Sequence, residues 1–210
     1  MRLLFLHGYQ QSPSIIQEET GFLQPLLSQI VGEDVEFVYP AAPFPSTPRD
    51  TGEPTYSWWP EDGNEAYRKT FAHLSDILDR DGPFAGAVGF SQGATLASLV
   101  AALLEKPQAE RPEELTSTHA PFRFVLSFSG YQEDDPRVQQ YYEPGITTPI
   151  LHFINSTDPI LAEDRCMRLV NSCIDSDGRV VSYAGEGHRV PATKKAKMAL
   201  GRFLEDVLEL

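Results

Sequence analysis

The chain has 210 residues, of which 41% are hydrophobic and 22% charged, a globular composition with enough length to bury a core without disulfide or metal staples. Its 17 Lys and Arg against 30 Asp and Glu give a formal net charge of −13, which repels a phosphate backbone or an anionic membrane and excludes nucleic-acid binding as the main activity. No apolar run nears the roughly 18 residues of a membrane span, and the apolar start before His7 is too short for a secretory signal, so a cytoplasmic location is expected.

The first candidate strand, 3–6, ends at His7-Gly8 and is followed by a helical pattern over 14–31 and a strand over 35–39. Residues 40–63 then hold six prolines together with Phe44, Tyr56, Trp58 and Trp59. A loop this long inside a compact domain is usually functional, so these four aromatics are candidates for an apolar substrate wall; packing into the core would use them equally well. A helix over 64–80, a strand over 84–90 and a helix over 92–105 come next. The polar stretch 106–121, with Pro107, Pro112 and Pro121, reads as an exposed insertion.

Strands over 122–128, 150–154 and 179–183 alternate with helices over 160–173 and 191–208. The last helix carries one stripe of Ala196, Ala199, Leu200, Phe203, Leu204, Val207 and Leu208, with Pro191 suited to its first turn. Strands that read as unbroken apolar runs are covered on both faces. The fold class expected is therefore α/β: one domain over 1–210, with about six mostly parallel strands and helices on both faces. Cys166 and Cys173 would lie two helical turns apart, about 10 Å, too far for a disulfide. Asn155-Ser156-Thr157 fits a glycosylation sequon, which without a secretion signal reads as chance.

Gly89-Phe90-Ser91-Gln92-Gly93 sits between a strand and a helix, the context in which a serine on a tight turn projects its hydroxyl above a sheet. A serine hydroxyl needs a base, and the base an orienting carboxylate. Among the five histidines, His73 lies mid-helix and His119 in the polar insertion, so both read as solvated; His152 lies inside a strand, and His7 ends one. His188 follows the last strand, at the carboxyl edge where reacting groups gather in such sheets, and is the base chosen. Asp158 leaves the preceding strand at the same edge; Asp164 competes from within the next helix. The order Ser91, Asp158, His188 matches the α/β-hydrolase arrangement. An oxyanion would take the backbone N–H of Gln92 and of Tyr9, with Gln10 next in line.

Leu6-His7-Gly8-Tyr9, Gly89-Phe90-Ser91-Gln92-Gly93-Ala94 and Gly187-His188 together resemble the FSH family of serine hydrolases, as does the aromatic segment Tyr56-Ser57-Trp58-Trp59. The resemblance runs over nearly the whole chain. It implies a shortened α/β-hydrolase fold, with nucleophile, acid and base on Ser91, Asp158 and His188. Asn155-Ser156-Thr157 departs from the pattern, because relatives often have a glycine there.

A hydrolase of carboxylic esters or thioesters with an apolar acyl group is expected, working without cofactor. No zinc-spaced Cys/His cluster or phosphate loop is present. A narrower alternative is release of a polyketide or acyl chain from an acidic carrier protein docked on the basic run Arg189, Lys194, Lys195, Lys197 and Arg202. An alternative of another class is a non-catalytic scaffold that binds a ligand.

Overall fold

The computed structural model describes residues 1–47, 52–60, 65–185 and 187–210. In chain order its elements are β1 (Arg2–Leu6), α1 (Pro13–Glu19), α2 (Leu23–Val31), β2 (Glu36–Val38), β3 (Phe44–Ser46), β4 (Thr55–Ser57), α3 (Ala66–Asp81), β5 (Gly86–Phe90) and α4 (Gln92–Leu104). They continue with β6 (Phe124–Phe128), α5 (Pro136–Gln139), β7 (Ile150–Asn155), α6 (Glu163–Asn171), β8 (Val180–Tyr183) and α7 (Lys194–Leu208). Six strands form one sheet in the order β2-β1-β5-β6-β7-β8, and every neighbouring pair is parallel.

The side-chain period of two sorts the strands between two cores. Leu4, Leu6, Ala87, Val125 and Ile150 pack on one face with α3 and α4. Leu3, Phe5, Val88, Phe90, Leu126 and Phe153 pack on the other with α1, α2 and α7. Helix α4 lies nearest the centre and is buried along its full length. Because α-helices cover both faces, the carboxyl ends of β1, β5, β7 and β8 remain as the rim on which loops can converge.

Several sequence expectations need correction. The helix expected over 14–31 is two helices, divided at Thr20–Phe22, where the Thr20 hydroxyl donates to the Ile16 carbonyl at 2.5 Å. The break puts Pro25 in the first turn of α2 instead of a helix interior, where it would cost about 3 kcal/mol. Pro191 lies ahead of α7, whose cap is Thr193, with Oγ1 accepting the Ala196 N–H at 3.1 Å. The helix expected from 64 starts on a residue outside the description, as do 48–51 and 61–63 of the proline-rich stretch.

That stretch also contains an unforeseen antiparallel pair, β3 with β4. The segment 106–121 is not simply exposed: Leu115 and Ser117 are buried, and Arg111 donates to the carbonyls of Leu104, Lys106 and Ser117. His73 and His119 are half-buried and hydrogen-bonded, not free in solvent. His73 Nε2 pairs with the Ala41 carbonyl at 2.8 Å, and His119 Nε2 accepts the Phe84 N–H at 2.8 Å while its ring stacks on Phe84. Both cysteines are free, but Cys173 lies past the end of α6, its Sγ 3.5 Å from His152 Nε2.

Candidate active site

The turn between β5 and α4 is built by two close approaches. A Cβ on Gly93 would lie 2.1 Å from the Leu6 carbonyl oxygen, and one on Gly89 would lie 2.4 Å from the Gly93 oxygen. Only glycines allow the start of α4 to press against the ends of β1 and β5. Ser91 at the apex is held at φ +53°, ψ −120°, a strained conformation for an L residue. Its N–H donates to the Phe128 carbonyl at 2.8 Å, which fixes the turn to β6. The side chain is thereby aimed over the rim.

His188 meets that hydroxyl. Its Nε2 lies 2.9 Å from Ser91 Oγ and its Nδ1 2.6 Å from Asp158 Oδ2. A carboxylate only accepts, so Nδ1 carries the proton and donates to Asp158, leaving Nε2 to accept from the serine. The Asp158 side chain is only 2% exposed, and its other oxygen accepts the N–H groups of Ile160 and Leu161 at 2.9 and 3.1 Å. Phe90 packs its ring 4.8 Å from the imidazole. Asp164, the competing acid, sits in the first turn of α6, while the His188 ion pair is made by Asp158.

Beneath the serine, the loop after β1 is fixed by Gln11. Its buried Oε1 accepts the Gly8 N–H at 2.7 Å, and its Nε2 donates to Glu19 at 2.7 Å. Gln10 takes φ +54° and completes the turn. The N–H groups of Tyr9 and Gln92 are bonded to no other described residue. Gln92 heads α4, where the first N–H groups lack helical partners and the helix dipole favours negative charge. His7 is wholly buried. Nδ1 donates to the Gly8 carbonyl and Nε2 accepts the Ala42 N–H, while burial pushes its pKa down to about 4. It is a neutral structural link and not a base.

A cavity of about 400 Å³ opens on Ser91 and is lined by Tyr9, Trp59, Pro60, Tyr67, Tyr131, Ile160 and Leu161, among others. Of the four aromatics expected to form a substrate wall, only Trp59 belongs to it. Trp58 is fully buried and donates Nε1–H to the His7 carbonyl at 2.8 Å; Tyr56 and Phe44 pack against the α3 side of the core, with Lys69 over the Phe44 ring. Phe44 and Tyr56, on opposite faces of the β3–β4 ribbon, are each half-buried against the core, away from Ser91. Tyr131, just past β6, was legible as a carboxyl-edge residue and was missed, as were Tyr67 and the ion pair of Arg137 with Asp135 that also line the cavity. Both arginines here are paired, Arg137 with Asp135 and Arg165 with Asp134 at 3.5 Å, while Glu133 also lines the cavity and its Oε1 accepts the Asp134 N–H.

Asn155, the supposed glycosylation residue, is 2% exposed with its amide fully engaged, so no glycan can reach it. A larger cavity, about 770 Å³ between β8 and α7, contains none of Ser91, Asp158 and His188. No helix among the described residues is long and apolar enough to cross a membrane.

Comparison with known proteins gives a consistent picture. The family model described as serine hydrolase (FSH1) matches residues 1–200. The chain is 32% identical over 219 residues to Family of serine hydrolases 3 of Saccharomyces cerevisiae, covering 92% of this chain and 79% of that protein. It is 29% identical over 238 residues to Esterase OVCA2 of Danio rerio, covering 98% and 96%. A Schizosaccharomyces pombe protein named dihydrofolate reductase is 27% identical over 97% of this chain, which spans 47% of that relative's length. Among solved structures, esterase PE8 superposes with a TM-score of 0.66 at 20% identity, covering 98% and 92% of the two chains. Zea mays acyl-protein thioesterase 2 gives 0.61 at 18% identity, covering 99% and 93%.

Proposed function

This chain belongs to the FSH1 family of serine hydrolases, and on that premise we propose that Ser91 is its nucleophile, His188 its general base and Asp158 the carboxylate that orients the base. The reading is supported above all by the single imidazole that reaches Ser91 Oγ with one nitrogen and Asp158 with the other, at 2.9 and 2.6 Å. His188 Nε2 takes the hydroxyl proton as Oγ attacks the ester or thioester carbonyl, and the imidazolium that forms is stabilised by Asp158. The Gln92 and Tyr9 N–H groups hold the tetrahedral oxyanion, each worth on the order of 3 kcal/mol. His188 then returns the proton to the departing alcohol or thiol. Water, deprotonated by the same nitrogen, cleaves the acyl-enzyme and releases the acid.

The substrate is a small-molecule ester or thioester with an apolar acyl group. Trp59, Tyr67, Ile160 and Leu161 offer apolar surface beside Ser91, and the two arginines of the cavity, Arg137 and Arg165, are each paired with an aspartate. A carrier protein docked on the α7 lysines is the narrower reading. Against it, Lys195 Nζ turns to the Ser182 carbonyl at 2.6 Å while Lys197 lies over the Phe22 ring, so the lysines do not form one patch.

Labelling by a fluorophosphonate probe tests the assignment. Wild type is expected to be labelled and Ser91→Ala not; an unlabelled wild type would favour the non-catalytic scaffold. Rates on p-nitrophenyl esters and acyl-CoA thioesters of graded length then fix the acyl group and the leaving group.

A further inference from the structure

His188 and Asp158 sit on two separate loops, one after β8 and one after β7, and neither loop is part of the sheet. For the imidazole to hold both partners, those loops must keep a fixed separation. The residue placed to do this is Asn155, the last of β7. Its Nδ2 donates to the carbonyls of Gly185 and Gly187 at 2.7 and 2.8 Å, on the stretch that leads directly into His188. Its Oδ1 accepts the Thr157 N–H at 3.0 Å and the Thr157 hydroxyl at 3.1 Å, on the residue before Asp158. The circuit closes when Thr157 Oγ1 accepts the Gly185 N–H at 2.8 Å.

Both amide hydrogens and both acceptor sites of Asn155 are therefore used, in a side chain withdrawn from water. A fully satisfied buried network is rigid and holds one geometry. The stretch it grips needs holding. Gly185 and Gly187 take φ +84° and +69°, and glycines have many alternatives to that conformation.

We infer that Asn155, working with Thr157, is a positioning residue that clasps the acid loop to the histidine loop and so sets the reach of His188 toward Ser91. Neither residue touches the reacting atoms. The inference rests on the proposed roles of Ser91, His188 and Asp158. Its effect belongs on the chemical step: a base displaced by about 1 Å costs on the order of 10²-fold in rate.

The experiment compares Asn155→Leu, Thr157→Val and the conservative Thr157→Ser with wild type. Steady-state kinetics on a p-nitrophenyl ester, thermal melting and the downfield proton resonance of the His188–Asp158 hydrogen bond are measured for each. Asn155→Leu is expected to lower kcat on the order of 10²-fold with little change in KM, and Thr157→Val about tenfold, both with the downfield resonance weakened or lost. Thr157→Ser, which keeps the hydroxyl, is expected to retain activity and the resonance. If Asn155→Leu does not fold, Thr157→Val against Thr157→Ser decides alone. A folded variant with wild-type kcat and an intact resonance overturns the clasp, as does a loss confined to KM or to melting temperature. Ser91→Ala separates the two levels. If it is inactive while Asn155→Leu is fully active, the clasp alone fails; if it stays active, the site assignment fails and the clasp with it.

Discussion

Gln92 and Trp59 are joined side chain to backbone: Gln92 Nε2 donates to the Trp59 carbonyl at 2.8 Å, while its Oε1 accepts the neighbouring Trp58 N–H at 2.9 Å. The residue whose N–H is proposed to hold the oxyanion thus also fixes the wall of the cavity beside Ser91. Replacing it by Leu leaves a buried N–H and a buried carbonyl unpaired, at about 1–3 kcal/mol for each group. Gln92→Leu should lower the urea midpoint and raise KM for longer acyl esters more than for acetate. Equal KM changes across chain lengths would contradict the coupling.

Gly93→Ala should be far more damaging than one methyl group suggests. The added Cβ would have to displace the Leu6 and His7 carbonyl oxygens, both backbone atoms, at 2.1 and 2.4 Å. Overpacking of this kind costs about 1–3 kcal/mol or more, and any relief lifts α4 away from β1 and tilts Ser91. The expected result is a lower melting temperature together with loss of fluorophosphonate labelling in the fraction that remains folded.

Of Phe44, Tyr56, Trp58 and Trp59, Trp59 alone lines the cavity, and that distinction is measurable. Trp59→Ala should reduce kcat/KM for medium-chain esters by about tenfold, because burying an acyl chain against an indole is worth a few kcal/mol at most. Phe44→Ala, remote from the cavity, should lower stability and leave the chain-length profile as it is. Reversal of these two effects would show the acyl group running along the hairpin instead.

Acid sensitivity should have a component from two buried histidines. Burial lowers the pKa of His7 and of His152 from 6.5 to about 4. Between those values the unfolded chain binds protons that the folded chain refuses, so stability falls as pH drops from 6.5 toward 4 and is fully present above 6.5. The contribution is on the order of 3 kcal/mol per histidine. Urea titrations from pH 7 to 4.5 should show this slope, and His152→Leu, which removes one of the two groups, should make it shallower. An unchanged slope would mean that His152 takes up a proton in the folded state.

Much of the architecture was legible because its signals are local. The apolar runs of β1, β5 and β6, the stripe of α7 and the glycine spacing around Ser91 each lie within a short window, and each reflects a rule of backbone geometry that acts within that window. Expectations failed where neighbours in space overrode neighbours in sequence. His73 and His119 found carbonyl and amide partners remote in the chain, whereas the break at Thr20–Phe22 that keeps Pro25 in a first turn was a local signal hidden by a period that looks continuous. Trp58 is buried in the core, Phe44 and Tyr56 pack half-buried against it, and the cavity is left to Trp59, with Tyr67 and Tyr131 from other elements.

By itself the sequence determined a parallel α/β sheet, a serine on a tight strand-to-helix turn, and a histidine and an aspartate leaving later strands at the same edge. Burial periodicity and glycine sterics are properties of consecutive residues, so they can be read without coordinates. Tertiary structure alone decided which atoms touch: the 2.6 and 2.9 Å contacts of His188, and the amide of Asn155 between two loops. Hydrogen bonds weaken steeply over a few tenths of an ångström, whereas position along a loop fixes a side chain only to within several.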